Sequence, residues 1–179
     1  MKIALAVVLL AASALAQNQD QDKDKNKDKP NLTTSMSACG PMNMHFDLSS
    51  GGQTPTAQPE PDKALVYFVE DVPKTYKITG DPTMLLALDG SWIGATKSGS
   101  YISFIAEPGD HHMCVSWRSH DGYLAFARLH AEPGKTYFYR VQMLEINSSL
   151  PLIHLEPVDP DEGQYLVASS SLSFWHVKK

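Results

Sequence analysis

The sulfur and imidazole groups are the side chains most able to do chemistry in this chain. Two cysteines, Cys39 and Cys114, and seven histidines at positions 45, 111, 112, 120, 130, 154 and 176 are spread over 179 residues. His111 and His112 are adjacent. On a strand adjacent side chains point to opposite faces, so the two imidazoles are not expected to share one ion. His112 and Cys114 do share a face, and in a reduced protein they would offer two metal ligands. A zinc site takes three or four protein ligands, so no metal site is assigned and this pair stands as the candidate. No His-Glu-x-x-His or His-x-His pattern occurs.

Nucleophilic chemistry finds no clear pattern either. Gly90-Ser91-Trp92-Ile93-Gly94 resembles a nucleophile elbow, but its serine comes one position early. Cys39-Gly40-Pro41 opens like a Cys-x-x-Cys redox motif, yet Met42 stands where the second cysteine belongs. Asp159, Asp161 and Glu162 lack the spacing of a calcium loop and suit the first turn of a helix instead. No catalytic residue is assigned and the chain is expected not to be an enzyme. A hydrolase with a site assembled in space is the alternative, because triads are recognised by geometry and not by order. A metal-binding protein around His112 and Cys114 is the third reading. Trp92, Tyr101 and Tyr123, with Trp117, are the candidate stacking contacts for a sugar or peptide. As strand aromatics they suit cross-strand or core packing better, because that is where aromatics in strands usually lie.

These residues sit on short strands. Ala64-Leu65-Val66-Tyr67-Phe68-Val69 is apolar throughout, which predicts a strand covered on both faces. Further strands are predicted at Met84 to Leu88, Ser91 to Thr96, Tyr101 to Ala106, His111 to Trp117, Leu124 to His130, Thr136 to Met143 and Leu152 to Glu156. Met42, Met44 and Phe46 alternate with polar residues and give a weaker strand signal. Turn signals at Gly80-Asp81-Pro82, Asp121-Gly122 and Asn147-Ser148-Ser149 separate the runs. Asp89-Gly90 suits a hairpin turn that needs positive φ, and Pro108-Gly109 suits a type II turn. Leu88 to His112 therefore reads as a small antiparallel meander. Glu107-Pro108-Gly109 recurs as Glu132-Pro133-Gly134, which reads as a repeated hairpin device.

Alternation along His111 to Trp117 sends Met113, Val115 and Trp117 to a core. His112, Cys114, Ser116 and Arg118 then take the other face. An even cysteine count in an oxidising compartment favours a Cys39–Cys114 disulfide. Cys39 would then approach from the outer face, strapping the amino-terminal arm across the sheet.

In the tail, Asp159-Pro160-Asp161-Glu162 reads as a helix start, with Pro at the first helical position. Tyr165, Ala168, Leu172 and Trp175 recur at helical spacing. One short C-terminal helix is expected. The fold class is all-β, an antiparallel β-sandwich with that helix.

The amino terminus is a different kind of sequence. Met1-Lys2, an apolar run from Ile3 to Ala12 and Ser13-Ala14-Leu15-Ala16 read as a secretory signal peptide cleaved near Ala16. The run is shorter than the roughly 20 residues of a spanning helix, so no transmembrane segment is expected after its removal. Gln17 to Pro30 alternates Asp and Lys with no aromatic, which predicts a solvated tether. The division expected is 1–16 signal peptide, 17–37 disordered tether, 38–62 arm and Pro-rich connector, and 63–179 sandwich with a helical tail. Net charge is −5, and the only cluster of bases is balanced by acids, so nucleic acid is not an expected partner.

Leu88-Asp89-Gly90 with Ile93-Gly94, followed by Pro108-Gly109-Asp110-His111 opening an apolar strand, resembles the PEGA-type domains. Those are small, surface-associated β-sandwich modules of the bacterial envelope. Ala64-Leu65-Val66-Tyr67 and Gly134-Lys135-Thr136-Tyr137-Phe138-Tyr139-Arg140 extend the likeness. They resemble a related domain of unknown function found in secreted proteins and lipoproteins. The resemblance covers roughly Lys63 to Pro157. It implies an immunoglobulin-like or PEGA-like sandwich in a secreted or periplasmic cell-envelope protein. The role implied is non-enzymatic binding or assembly without a cofactor, the partner being an envelope protein or glycan. No cysteine follows the apolar run closely, unlike in the lipoprotein members.

Overall fold

The computed structural model describes residues 39–41, 44–52, 58–72, 82–118, 123–144 and 152–178. The expected signal peptide and tether, Met42, residues 53–57 of the connector and most of the expected turns at 80–82, 121–122 and 147–149 lie outside them.

Ten strands and one helix occur among the described residues. They are β1 (Phe46–Ser50), β2 (Ala64–Glu70), β3 (Thr83–Leu88), β4 (Ser91–Lys97), β5 (Ser100–Ala106), β6 (Gly109–Trp117), β7 (Leu124–Ala131), β8 (Thr136–Leu144), β9 (Leu152–Val158), α1 (Pro160–Ala168) and β10 (Ser171–Val177). A six-stranded sheet has the order β1-β10-β5-β2-β8-β9, and a four-stranded sheet the order β4-β3-β6-β7. The fold is an all-β sandwich with one short helix.

The all-apolar β2 is a central strand. It pairs antiparallel with β5 and parallel with β8. Val66 and Phe68 enter the main core between the sheets, where Met84, Leu86, Met113 and Val115 meet them from the small sheet. Each such side chain, once buried, contributes roughly 1.5–3 kcal/mol. Leu65, Tyr67 and Val69 face the other way, into a second cluster beneath α1 with Tyr101, Phe138 and Leu166. Tyr67 stacks on Phe138 with ring centroids 5.1 Å apart. One strand thus serves two cores, which is why it reads as a continuous apolar run.

Local turn chemistry matches the sequence at β3–β4. Asp89 and Gly90 have φ of 49° and 78°, as a two-residue hairpin requires. The meander does not continue. β5 leaves the small sheet and pairs with β2, while β6 returns to pair with β3 and β7. The two Glu-Pro-Gly turns are accordingly crossings, not hairpins. Glu107-Pro108-Gly109 carries the chain from the large sheet to the small one, and Glu132-Pro133-Gly134 carries it back. A turn sets the direction of the next strand, but burial sets which sheet it joins.

The tail also departs from expectation. The helix starts at Pro160 with Asp161 and Glu162 in its first turn, and Asp159 caps it without a side-chain bond. It ends at Ala168, because Ser169 to Ser171 are weak helix formers whose hydroxyls compete for the backbone. Leu172 and Trp175, expected on the helix, lie on β10. β10 touches β5 in parallel through Ser171 and Leu172 and then pairs along its length with β1.

Candidate functional site

The structure contains the Cys39–Cys114 disulfide, with the Cα atoms 5.5 Å apart. Cys114 lies on the outer face of the small sheet, opposite Ala87 of β3 and Phe126 of β7. Met113, Val115 and Trp117 point into the core, so the alternation read from β6 holds. The arm crosses this outer face. Cys39 packs with Ala87 and Trp92, and Phe46 with Leu85 and Ala95. The Trp92 indole N–H donates to the Pro41 carbonyl at 2.9 Å. Gly40 lies so close that a Cβ there would sit 2.6 Å from Trp92 Nε1.

Beyond the arm, the outer face presents cross-strand pairs of β6 and β7: Cys114 with Phe126, His112 with Arg128, and Asp110 with His130. Phe126 is 57% exposed. His112, Arg128, Asp110 and His130 are exposed as well. Asp110 accepts from His130 Nδ1 at 2.6 Å. That bond lifts the His130 pKa above its ordinary value and holds Asp110 below the usual carboxylate range. No ion pair to Arg128 occurs among the described residues.

A second close acid–histidine pair is Asp89 and His111. Asp89 Oδ2 is 2.6 Å from His111 Nδ1, and Asp89 Oδ1 accepts the His112 amide at 2.9 Å. His111 Nε2 lies 2.7 Å from the Glu107 carbonyl. A base serving a nucleophile needs that nitrogen free to take a proton. Here a main-chain oxygen holds it, and the pair ties the β3–β4 turn to the β5–β6 crossing. The Asp89 bond is the main reason that the His111 pKa is raised, against a partial burial that lowers it. Partial burial works against ionisation of Asp89, but the His111 bond and the His112 amide outweigh it and lower its pKa.

The three aromatic candidates are not brought together. Trp92 lies over the disulfide, Tyr101 is buried beneath α1, and Tyr123 packs edge-on against Trp117 at 5.9 Å. Each fills a different cluster, so no shared stacking platform forms. The metal candidates fare similarly: the Cys114 sulfur is bonded to Cys39, which leaves His112 without a thiolate beside it. Glu162, considered for calcium, pairs with Arg140 at 2.6 Å.

Phe126 and Arg128 were not singled out by sequence. β7 gave no clear signal: Ala125, Ala127, Leu129 and Ala131 take the core face and Leu124, Phe126, Arg128 and His130 the outer one, so size does not sort the faces. Glu70 was also missed, ending the apolar run of β2. It is fully buried and accepts from Thr96 Oγ1 at 2.7 Å, tying the two sheets together. Comparison of the chain with protein-family models, curated proteins and solved structures returned no match.

Proposed function

We propose that this chain is an exported, non-enzymatic β-sandwich module of the bacterial cell envelope, of the PEGA-like kind, whose outer small-sheet face binds a partner. The observation that carries the reading is Phe126. A large aromatic more than half exposed, beside an exposed Arg128 that has no ion pair among the described residues and against a disulfide-clamped arm, supports a contact surface. The disulfide supports export, because such bonds persist in oxidising compartments. The amino-terminal leader pattern supports it too. The capped His111 supports a structural role for the Asp89–His111 pair.

Two measurements test the reading together. Cell fractionation with amino-terminal sequencing should find the mature chain outside the cytoplasm, beginning near Gln17. Immobilised protein should retain envelope material, and Phe126→Ser with Arg128→Ala should release it. A cytoplasmic, uncleaved chain, or retention indifferent to both substitutions, would refute the proposal.

A further inference from the structure

The hydrogen-bond pattern of the small sheet fixes which backbone groups of β7 face outward. Trp117 N donates to Tyr123 O at 3.1 Å, so the pair 117–123 is hydrogen-bonded across β6 and β7. Bonded and non-bonded pairs alternate in an antiparallel ladder. By the register of β6 and β7 the pairs Ser116–Leu124, Cys114–Phe126, His112–Arg128 and Asp110–His130 are then the non-bonded ones. Two other bonds agree. His112 O accepts from Asp89 N at 2.9 Å, on the β3 side, and Arg128 O accepts from the Tyr139 hydroxyl at 2.7 Å, away from β6. The N–H and C=O groups of Leu124, Phe126, Arg128 and His130 therefore point off the edge of the sheet. β7 ends the strand order of the small sheet, and among the described residues no strand pairs with it on that side.

The side chains of those same four residues lie on the outer face. Arg128 has no ion pair among the described residues, though it acts on Asp110, which His130 holds; Glu132 also lies near His130, and His112 stands across from Arg128. In a chain of net charge −5, Arg128 is thus the fixed positive charge on this strand edge, with His130 tied to Asp110 on one side and Phe126 and Leu124 continuing it as an apolar stretch on the other.

We propose that the open edge of β7 takes up an extended acidic polypeptide segment as a fifth strand of the small sheet. This names the partner class for the binding face and rests on the module reading above. The edge supplies main-chain donors and acceptors at strand spacing, the Arg128 carbonyl being the one already bonded, to Tyr139; Arg128 pairs with a carboxylate of the added segment, and Phe126 packs against an apolar side chain two positions along. The edge favours a polypeptide over a glycan, because only a peptide returns alternating N–H and C=O groups at that spacing. A second copy of this chain fits less well, since pairing two β7 edges sets two Arg128 charges along one seam.

The test uses the full chain and a capped octapeptide, Glu-Thr-Glu-Thr-Glu-Thr-Val-Thr, whose three glutamates and valine share one face of the added strand. Backbone amide shifts are followed by NMR in parallel with three controls. These are the same peptide N-methylated at every second residue, its lysine counterpart, and a trigalacturonate of equal charge. The acidic peptide is expected to shift the Phe126, Arg128 and His130 amides. Its affinity should fall about tenfold or more with Arg128→Glu, as expected for loss of a charge-assisted pair. N-methylation should abolish binding without touching the protein, so a folding defect cannot mimic the result. Equal binding of the N-methylated peptide or the uronate, shifts confined to other strands, or a dimer joined through β7 would overturn it. If envelope material is retained through Phe126 and Arg128 but the acidic peptide fails, strand addition is wrong and the module reading stands.

Discussion

Asp89 and His111, twenty-two positions apart in sequence, meet at 2.6 Å and close one end of the small sheet. Both nitrogens of His111 face oxygen acceptors, a carboxylate at Nδ1 and the Glu107 carbonyl at Nε2. A neutral imidazole has one N–H and satisfies only one of them. The imidazolium satisfies both. The arrangement therefore selects the charged ring, and its neighbours act in the same direction. Asp110 adds a favourable charge, while the Glu107 side chain is occupied by Lys63 at 2.8 Å.

The pair makes stability depend on pH. The folded-state pKa of His111 is raised above 6.5, so its contribution is complete below that value and lost as pH rises through the folded pKa. Asp89 is lowered below 3.8, so its contribution is present above that value and lost as pH falls through the folded pKa. Between those limits Asp89→Asn should lower stability by about 1 kcal/mol, a charged hydrogen bond discounted for the half-exposed carboxylate. Asparagine tolerates the positive φ at this turn, which isolates the charge. Denaturant melts at pH 5.5 and pH 9 check this: the difference between variant and parent should shrink at the higher pH.

Removing the disulfide releases the arm. With 75 positions between the cysteines, Cys39→Ala with Cys114→Ala should lower stability by about 4 kcal/mol in the chain-entropy model. Trp92 loses its cover in the same step, so its fluorescence should report the arm lifting before the core unfolds. A single transition at the parent midpoint would contradict that.

Gly163 offers a substitution that helix propensity alone would get wrong. Alanine is favoured over glycine inside a helix by about 1 kcal/mol. A Cβ at Gly163, however, would lie 2.2 Å from Phe138 Cγ and 2.5 Å from its Cβ. Gly163→Ala should therefore destabilise by about 1–3 kcal/mol through overpacking. Faster amide exchange confined to α1 and β8 would locate the loss where the helix meets the sheet.

Phe126 and Trp117 separate surface from core. Phe126→Ser, at a position 57% exposed, should change stability by no more than about 0.5 kcal/mol. Trp117→Ala, at 3% exposed, should remove about 3–5 kcal/mol. Calorimetry on both variants decides it, and a large loss at Phe126 would place that ring in the core.

Much of the strand layout was legible because alternation is a local property. The β6 faces, the doubly covered β2 and the Asp89-Gly90 hairpin all follow from period-two patterning and turn chemistry. The outward side of Phe126 was not legible. A strand reading Leu-Ala-Phe-Ala-Arg-Leu-His-Ala gives no preference for putting phenylalanine outside until the facing sheet fills the space over Ala125 and Ala127. The stacking set failed for the same reason, since Trp92, Tyr101 and Tyr123 belong to three separate clusters.

By itself the sequence determined the strands from Ala64 to Val158, the Asp89-Gly90 hairpin and the face from which Cys39 reaches Cys114. Each of these depends on residues within a few positions of one another, or on a count of two cysteines. Only the tertiary structure decided that β5 joins β2, that the Glu-Pro-Gly turns cross between sheets, and that Ser171 to Val177 leaves the helix to pair with β1. It also decided that His111 is capped at both nitrogens and that β7 ends the strand order of the small sheet. Those outcomes turn on which distant surfaces bury one another. Partner choice across a sandwich is a competition for apolar area that no short window of residues contains.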